Sequence, residues 1–351
     1  MNAAPAGQPA ANQHPRYVER KQRPVFVMGC HRSGTNLLYD TLLSAGGFAV
    51  YRGYLPVYES LQPRFGSLAN PGSREKIVST WMQSKGFRRA GLEAEPLRSK
   101  LLAECRTGGD FIRIVMDAIA DHQGAQRWAV YDPDNVLHVP QISREIPGSL
   151  FVHIIRDGRD IALSLMKMEG FRPLPWSRQA RGLLETALYW QWMVRKGRQY
   201  GSRISEDYIE VHYEELVRQP RTVLARLGQF LDHDLDYDRI QSAGLGRLRE
   251  SNSSFLGNEV ESQNPVQRWK EKLSPEQVAE LEAVIGPALQ DYGYALASTS
   301  EQRRRSLRSW CVGCFYPAFL NGKQWLKMST PAGRLSNLSA LELQSSTPES
   351  E

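Results

Sequence analysis

The stretch RPVFVMGCHRSGTNLLYDTLL, residues 23–43, gathers phosphate-binding chemistry into one short segment. Gly29 and Gly34 stand five apart, between an apolar run and a helical pattern. That is the spacing of a loop whose backbone N–H groups wrap a phosphate. Thr35 takes the place of the usual lysine, and Asn36 the place of the usual magnesium-binding hydroxyl. A loop lacking both is poorly equipped to move a γ-phosphoryl group from metal-bound ATP. It keeps other anion holders: main-chain N–H groups at a helix start, the hydroxyls of Ser33 and Thr35, and the guanidinium of Arg32. A plain strand–turn–helix connection, with R-S-G-T serving only as a helix cap, accounts for the same residues.

A second cluster lies in SLFVHIIRDGRDIALSL, residues 149–165. Arg156 closes an apolar run, Asp157-Gly158 makes a turn, and Ser164 follows eight residues after Arg156 in the next helical pattern. Both side chains can project to the carboxyl-end side of a sheet and hold a separate phosphate there. The competing reading is a surface ion-pair group of Arg156, Asp157, Arg159 and Asp160, which would contribute little.

Such loops need strands to carry them. VFVMG (25–29), FAVY (48–51), WAVYD (128–132), LFVHIIR (150–156) and YIEVHY (208–213) are short β-branched or aromatic runs, most of them bounded by turn residues. Helical periodicity occupies 36–47, 160–168, about 177–200, 221–232 and 274–294. The last opens with Ser274, Pro275 and Gln277, a capping serine followed by a first-turn proline. This alternation predicts one α/β, P-loop-like domain with a central parallel sheet flanked by helices. Ligands on such sheets bind beyond the carboxyl ends of the strands. Residues 60–127, weaker in period, read as a helical insertion that covers the site.

The two clusters, in this order and about 120 residues apart, resemble the sulfotransferases that use 3′-phosphoadenosine 5′-phosphosulfate (PAPS). The likeness is nearest to the R-S-G-T branch, which includes tyrosylprotein and many bacterial enzymes, and it covers roughly residues 23–295. WAVYDPDN (128–135) resembles the family's W-x-x-K-D-P segment, VHYEELVRQP (211–220) its Y-E-x-L-V strand end, and VQRWKEKLSPEQ (266–277) its basic tryptophan segment. The resemblance implies the sulfotransferase fold, PAPS as co-substrate and no metal. It implies that Arg32, Ser33, Gly34, Thr35 and Asn36 grip the 5′-phosphosulfate, with His31 beside them. Arg156 and Ser164 would hold the 3′-phosphate. Arg268 would bind a phosphate and Trp269 stack on adenine, unless they are a surface arginine and a core tryptophan. The implied reaction moves a sulfuryl group to an acceptor hydroxyl of a carbohydrate, lipid, small molecule or tyrosine. A P-loop nucleotide kinase, or a non-catalytic nucleotide-binding protein of the same fold, remains the alternative.

Two departures bear on catalysis. Tyr131 stands where the branch has a lysine before D-P. Tyr54 stands nearest to the branch's catalytic glutamate, and the first carboxylate after it is Glu59. Glu59 is therefore the leading general base, a carboxylate beside the donor loop. Asp132 follows it, with an Asx turn before Pro133 as its other explanation. His31 is third, while Arg32 would act on the transferring group itself.

At 351 residues the chain can bury a large core. A formal net charge of +6 suits an anionic ligand and falls short of a nucleic-acid-binding signature. Cys30, Cys105, Cys311 and Cys314 are too scattered for a disulfide framework, which points to a reducing, cytoplasmic setting. Cys311 and Cys314 form C-x-x-C without further ligands at zinc spacing. Residues 1–22 read as a disordered leader with no signal or anchor, 23–298 as the catalytic domain, and 299–351 as a basic, aromatic extension ending in a disordered tail. Within that extension, 303–328 is composed for peripheral contact with a membrane, or for packing on the domain or a partner subunit. The acceptor cannot be read: aromatics at 51–58, 81 and 87 suit a sugar or an apolar molecule, arginines at 88, 89 and 98 an acidic one.

Overall fold

The computed structural model describes residues 19–168, 181–243, 266–303 and 306–343. All five apolar runs form strands: β1 (Val25–Gly29), β2 (Phe48–Ala49), β3 (Arg127–Tyr131), β4 (Leu150–Ile155) and β5 (Tyr208–His212). They make one sheet in the order β2-β3-β1-β4-β5, every neighbour parallel. Side chains alternate across a strand, so Phe26 and Met28 enter one core while Val25 and Val27 enter the other. Burial on both faces is why β1 reads as an unbroken apolar run and β4 as one interrupted only by His153.

β1 is the central strand, with β3 on one side and β4 on the other. The chain direction across the sheet reverses there, and ligand crevices open beyond the carboxyl ends at such a point. The predicted phosphate loop leaves β1 at this place and enters helix Thr35–Ser44. Gly29 is required by close approach, since a Cβ there would lie 2.4 Å from the Ile154 carbonyl oxygen on β4.

Helices Pro71–Met82, Ala94–Glu104 and Gly108–Gln123 fill the expected insertion. They pack on the face that holds Phe26 and Trp128, with Trp81 edge-on to Phe87 and Phe111. The expected helix over 177–200 is Leu183–Gly201; its first expected residues, 177–180, lie outside the described residues, as do 1–18 of the leader.

Extension residues Leu307–Ser329 form a helix laid against Leu183–Gly201. Tyr316 and Leu320 are buried, and Trp192 Nε1 donates to Asn321 Oδ1 at 3.0 Å. The tail differs from expectation as far as residue 343. Arg64 Nη1 donates to the carbonyl oxygens of Arg334 (3.1 Å) and Ser336 (2.8 Å), and Leu341 is buried. Those contacts order a segment whose polar composition reads as free chain. No helix among the described residues is long and apolar enough to cross a membrane.

Candidate active site

The loop 30–35 is built from two left-handed residues, Arg32 at φ 72° and Gly34 at φ 99°. Backbone of this kind curls successive N–H groups towards one concavity. Gly34 is needed twice over. Its φ favours glycine, and a Cβ there would lie 2.5 Å from the Tyr213 ring. Ser33 is fully buried, and its hydroxyl has no hydrogen-bond partner among the described residues. A buried, unpartnered hydroxyl in such a loop is the position an anion's oxygen would satisfy. Thr35 is buried at the helix start, whereas Asn36 is exposed on the first turn.

The second cluster meets the first directly. Arg32 Nε donates to Ser164 Oγ at 3.0 Å, across 132 residues of chain. Arg156 Nη1 donates to the Arg32 carbonyl oxygen at 3.3 Å, and its guanidinium lies 4.4 Å from the Tyr213 ring centre. Burial, followed by the charges of Arg156 and Arg268, lowers the pKa of Arg32. Three guanidiniums held within reach of one another's fields form a cationic cradle, an arrangement that an anion relieves.

The remaining charges of the R-D-G-R-D turn are buried posts rather than the surface pairs of the competing reading. Asp157 Oδ1 accepts from Arg159 Nε at 3.0 Å, and Asp157 Oδ2 from Trp269 Nε1 at 3.2 Å. Asp160 accepts from the backbone N–H groups of Gln267 and Trp269, both at 2.9 Å. Glu214 accepts from Asp157 N at 2.9 Å, and Glu282 pairs with Arg159. These carboxylates fasten segment 266–269 to the turn, hold Gln267 at φ 62°, and bring Arg268 to the cradle. Trp269 departs from the expected stacking role. It is buried, and the Arg159 guanidinium lies 3.8 Å from its ring centre, so it serves as a packing post. A hollow of about 550 Å³ beside this turn has a mixed lining, with Asp157, Glu214 and Glu215 facing Arg159, Arg218 and Lys270.

On the other side of the loop lies a cluster of acids and bases. Glu59 sits in a single π-helical turn, Val57–Leu61, and pairs with Lys327 of the C-terminal helix. His138 Nε2 is 3.7 Å from Glu59 Oε2. His31 Nε2 is 3.3 Å from Asp134 Oδ1. Burial pulls the His31 imidazole down, but Asp134, then Asp132 and Glu59, more than reverse this and leave its pKa raised. Asp132 is pushed up, first by burial and then by Asp134 and Glu59. Burial alone would raise Asp134 too, yet His31, Lys327 and His138 hold it down. Two carboxyl groups two residues apart are thus driven in opposite directions, as in sites that move protons. Lys323, one helical turn from Lys327, is lowered to about 8 by burial and then by Arg181 and Lys327. Tyr131 brings no cation and packs on Tyr39, ring centres 4.6 Å apart.

Sequence reasoning missed Lys323, Lys327, His138 and Asp134. The histidine and aspartate lie within a few residues of the D-P signal, while nothing local in the sequence pointed to the lysines. Among the described residues no cluster of three or more His, Cys, Asp or Glu could hold a metal ion.

The switch-point loop and its cationic cradle lie at the carboxyl edge of the parallel sheet of an α/β protein. The Sulfotransferase family model matches residues 24–237. The chain belongs to the sulfotransferase family, and hence to the transferases. It is similar in fold to the sulfotransferase domain from the curacin biosynthetic pathway, with 16% identity over 78% of this chain and 98% of that one, and a TM-score of 0.50. The sulfotransferase domain from the Synechococcus PCC 7002 olefin synthase matches at 17% identity, 78% and 96% coverage, and a TM-score of 0.48. A sulfotransferase from Mycobacterium avium matches at 15% identity, 79% and 78% coverage, and a TM-score of 0.43. No curated protein matches the chain in sequence.

Proposed function

We propose that the chain transfers a sulfuryl group from PAPS to a hydroxyl of a small-molecule, glycan or lipid acceptor. One observation carries the reading: Arg32 bonded to Ser164, with Arg156 on the Arg32 carbonyl, joins the two sequence clusters into a single cradle. A compound with a phosphosulfate and a separate phosphate has the charges to occupy it. The buried Ser33 hydroxyl and the backbone of residues 31–35 fit the first group; Arg156, Ser164 and Arg268 fit the second. Bound PAPS would supply the sulfuryl group and leave as adenosine 3′,5′-bisphosphate.

The chain's own residues supply the rest. Glu59 takes the acceptor hydroxyl's proton, and its ion pair with Lys327 orients that carboxylate. Arg32 and the loop N–H groups stabilise charge where it grows, without a metal. Asp132, pushed up to about 8, holds its proton at neutral pH and stands beside His31 as a second group that can exchange one. The unpaired cysteines suit a reducing cytoplasmic setting.

The direct experiment is thermal. Adenosine 3′,5′-bisphosphate raises the melting temperature in the absence of metal, and ATP with magnesium does much less. The reverse ranking would return the kinase reading. One observation favours binding without turnover, namely that Lys327 already occupies Glu59. That reading predicts the same melting shift and no transfer of labelled sulfate from PAPS to any acceptor in a cell extract.

A further inference from the structure

The C-terminal helix Leu307–Ser329 has two unlike faces. One carries Tyr316, Leu320 and Lys327 onto the domain and the acid–base cluster. Along the opposite face, at three- and four-residue spacing, stand Leu307, Trp310, Cys314, Phe315, Ala318 and Trp325. Leu307 is 79% exposed, Phe315 70% and Trp325 60%. Leu335, just beyond the helix, is 73% exposed. Large apolar side chains this exposed on one stripe mark a contact surface.

The charge pattern selects the occupant. From residue 303 to residue 341 the sequence holds no Asp or Glu, while Arg303, Arg304, Arg305, Arg308 and Arg334 fall within it, besides Lys323 and Lys327, which turn towards the acid–base cluster. The whole chain has 38 acidic residues, so a span this long without one is a local bias. A helix with aromatics near both ends, an apolar outer face and only basic charge suits an anionic lipid surface. It is also too polar to cross the bilayer.

We infer that this face seats the protein on an anionic membrane, the helix lying in the interface. The inner face of the same helix reaches Glu59, so docking places the acid–base cluster one helix diameter from the lipid. Resting on the proposed sulfuryl transfer, this favours a membrane-borne amphiphile as acceptor. The docking itself does not depend on that reaction.

The test uses the full chain, without PAPS or acceptor. Vesicles of phosphatidylglycerol and phosphatidylcholine should pellet the protein, vesicles of phosphatidylcholine alone should do so far less, and high salt should weaken the binding. The variant W310E/F315E/W325E should bind the anionic vesicles at least ~10-fold more weakly. Its melting shift with adenosine 3′,5′-bisphosphate, read in parallel, should match the parent and shows that the fold survives. Equal pelleting of parent and variant overturns the inference, as does no pelleting of the parent. A parent that elutes as a dimer while the variant elutes as a monomer, with no vesicle binding, assigns the face to a second copy and also overturns it. A parent that binds vesicles but gives no bisphosphate shift refutes the donor reading and leaves the docking standing.

Discussion

The bond between Arg32 and Ser164 can be weighed by a double-mutant cycle. It spans 3.0 Å, joins a cationic donor to a neutral hydroxyl, and sits partly buried between two elements far apart in sequence. Hydrogen bonds to charged groups contribute about 1.5–3 kcal/mol; partial exposure brings the coupling here to ~1 kcal/mol. Arg32→Ala removes a cation from the cradle as well as this bond, so its cost in affinity for adenosine 3′,5′-bisphosphate should be about 2–3 kcal/mol, roughly 30- to 150-fold in Kd. Ser164→Ala should cost ~1–1.5 kcal/mol, about tenfold. Stability should fall by no more than ~1 kcal/mol, because alanine, the better helix former within Gly158–Met166, offsets part of the lost bond. In the double variant the two losses should fall short of their sum by ~1 kcal/mol, since the shared bond is counted in both single variants. Isothermal titration without metal measures all four affinities. Strict additivity would show that the two residues do not act as one site. An unchanged Kd in Ser164→Ala would refute the joined cradle outright.

Glu59→Gln should lower turnover by about 100-fold or more while leaving the bisphosphate Kd where it was, and full activity in that variant would move the base to Asp132 or His31. His153 is fully buried on β4, its Nδ1 2.6 Å from the Tyr208 hydroxyl, and burial lowers its pKa from 6.5 to about 4. The unfolded chain therefore takes up this proton first as the pH falls, and stability drops between pH 6.5 and about 4 by up to ~3 kcal/mol. Urea midpoints across that window should show the decline, and His153→Gln should flatten it. A parallel decline in the variant would place the effect on other groups.

Much of the frame was legible because its signals are local. The five strand runs lie where β-branched and aromatic residues cluster, and burial on both faces is what makes the central one, β1, unbroken. The loop 29–35 was readable because left-handed backbone and a close approach to Tyr213 demand glycine at Gly34 whatever lies elsewhere. The turn between Arg156 and Ser164 was legible for a similar reason, but the bond that Ser164 makes, to Arg32, was not. A strand end followed by a turn and a helix fixes where residues eight apart must point.

Other assignments depended on contacts that no local pattern announces. The Asp157 and Asp160 carboxylates looked like surface charges, yet they hold the backbone and the indole N–H of a segment more than 100 residues away. Trp269 looked like a platform for a base, and burial made it a post. Only the fold shows that Tyr213 packs on the loop glycine and beneath Arg156.

By itself, then, the sequence determined the α/β alternation and the glycine turn of residues 29–35, because each rests on backbone geometry and spacing within one turn or element. Only the tertiary structure decided what Glu59 faces. Its partner Lys327 lies 268 residues further along the chain, on a helix that the sequence marked merely as basic and aromatic. A charge finds such a partner when two helices pack side by side, Leu307–Ser329 on Leu183–Gly201, and that packing depends on the shape of the whole core.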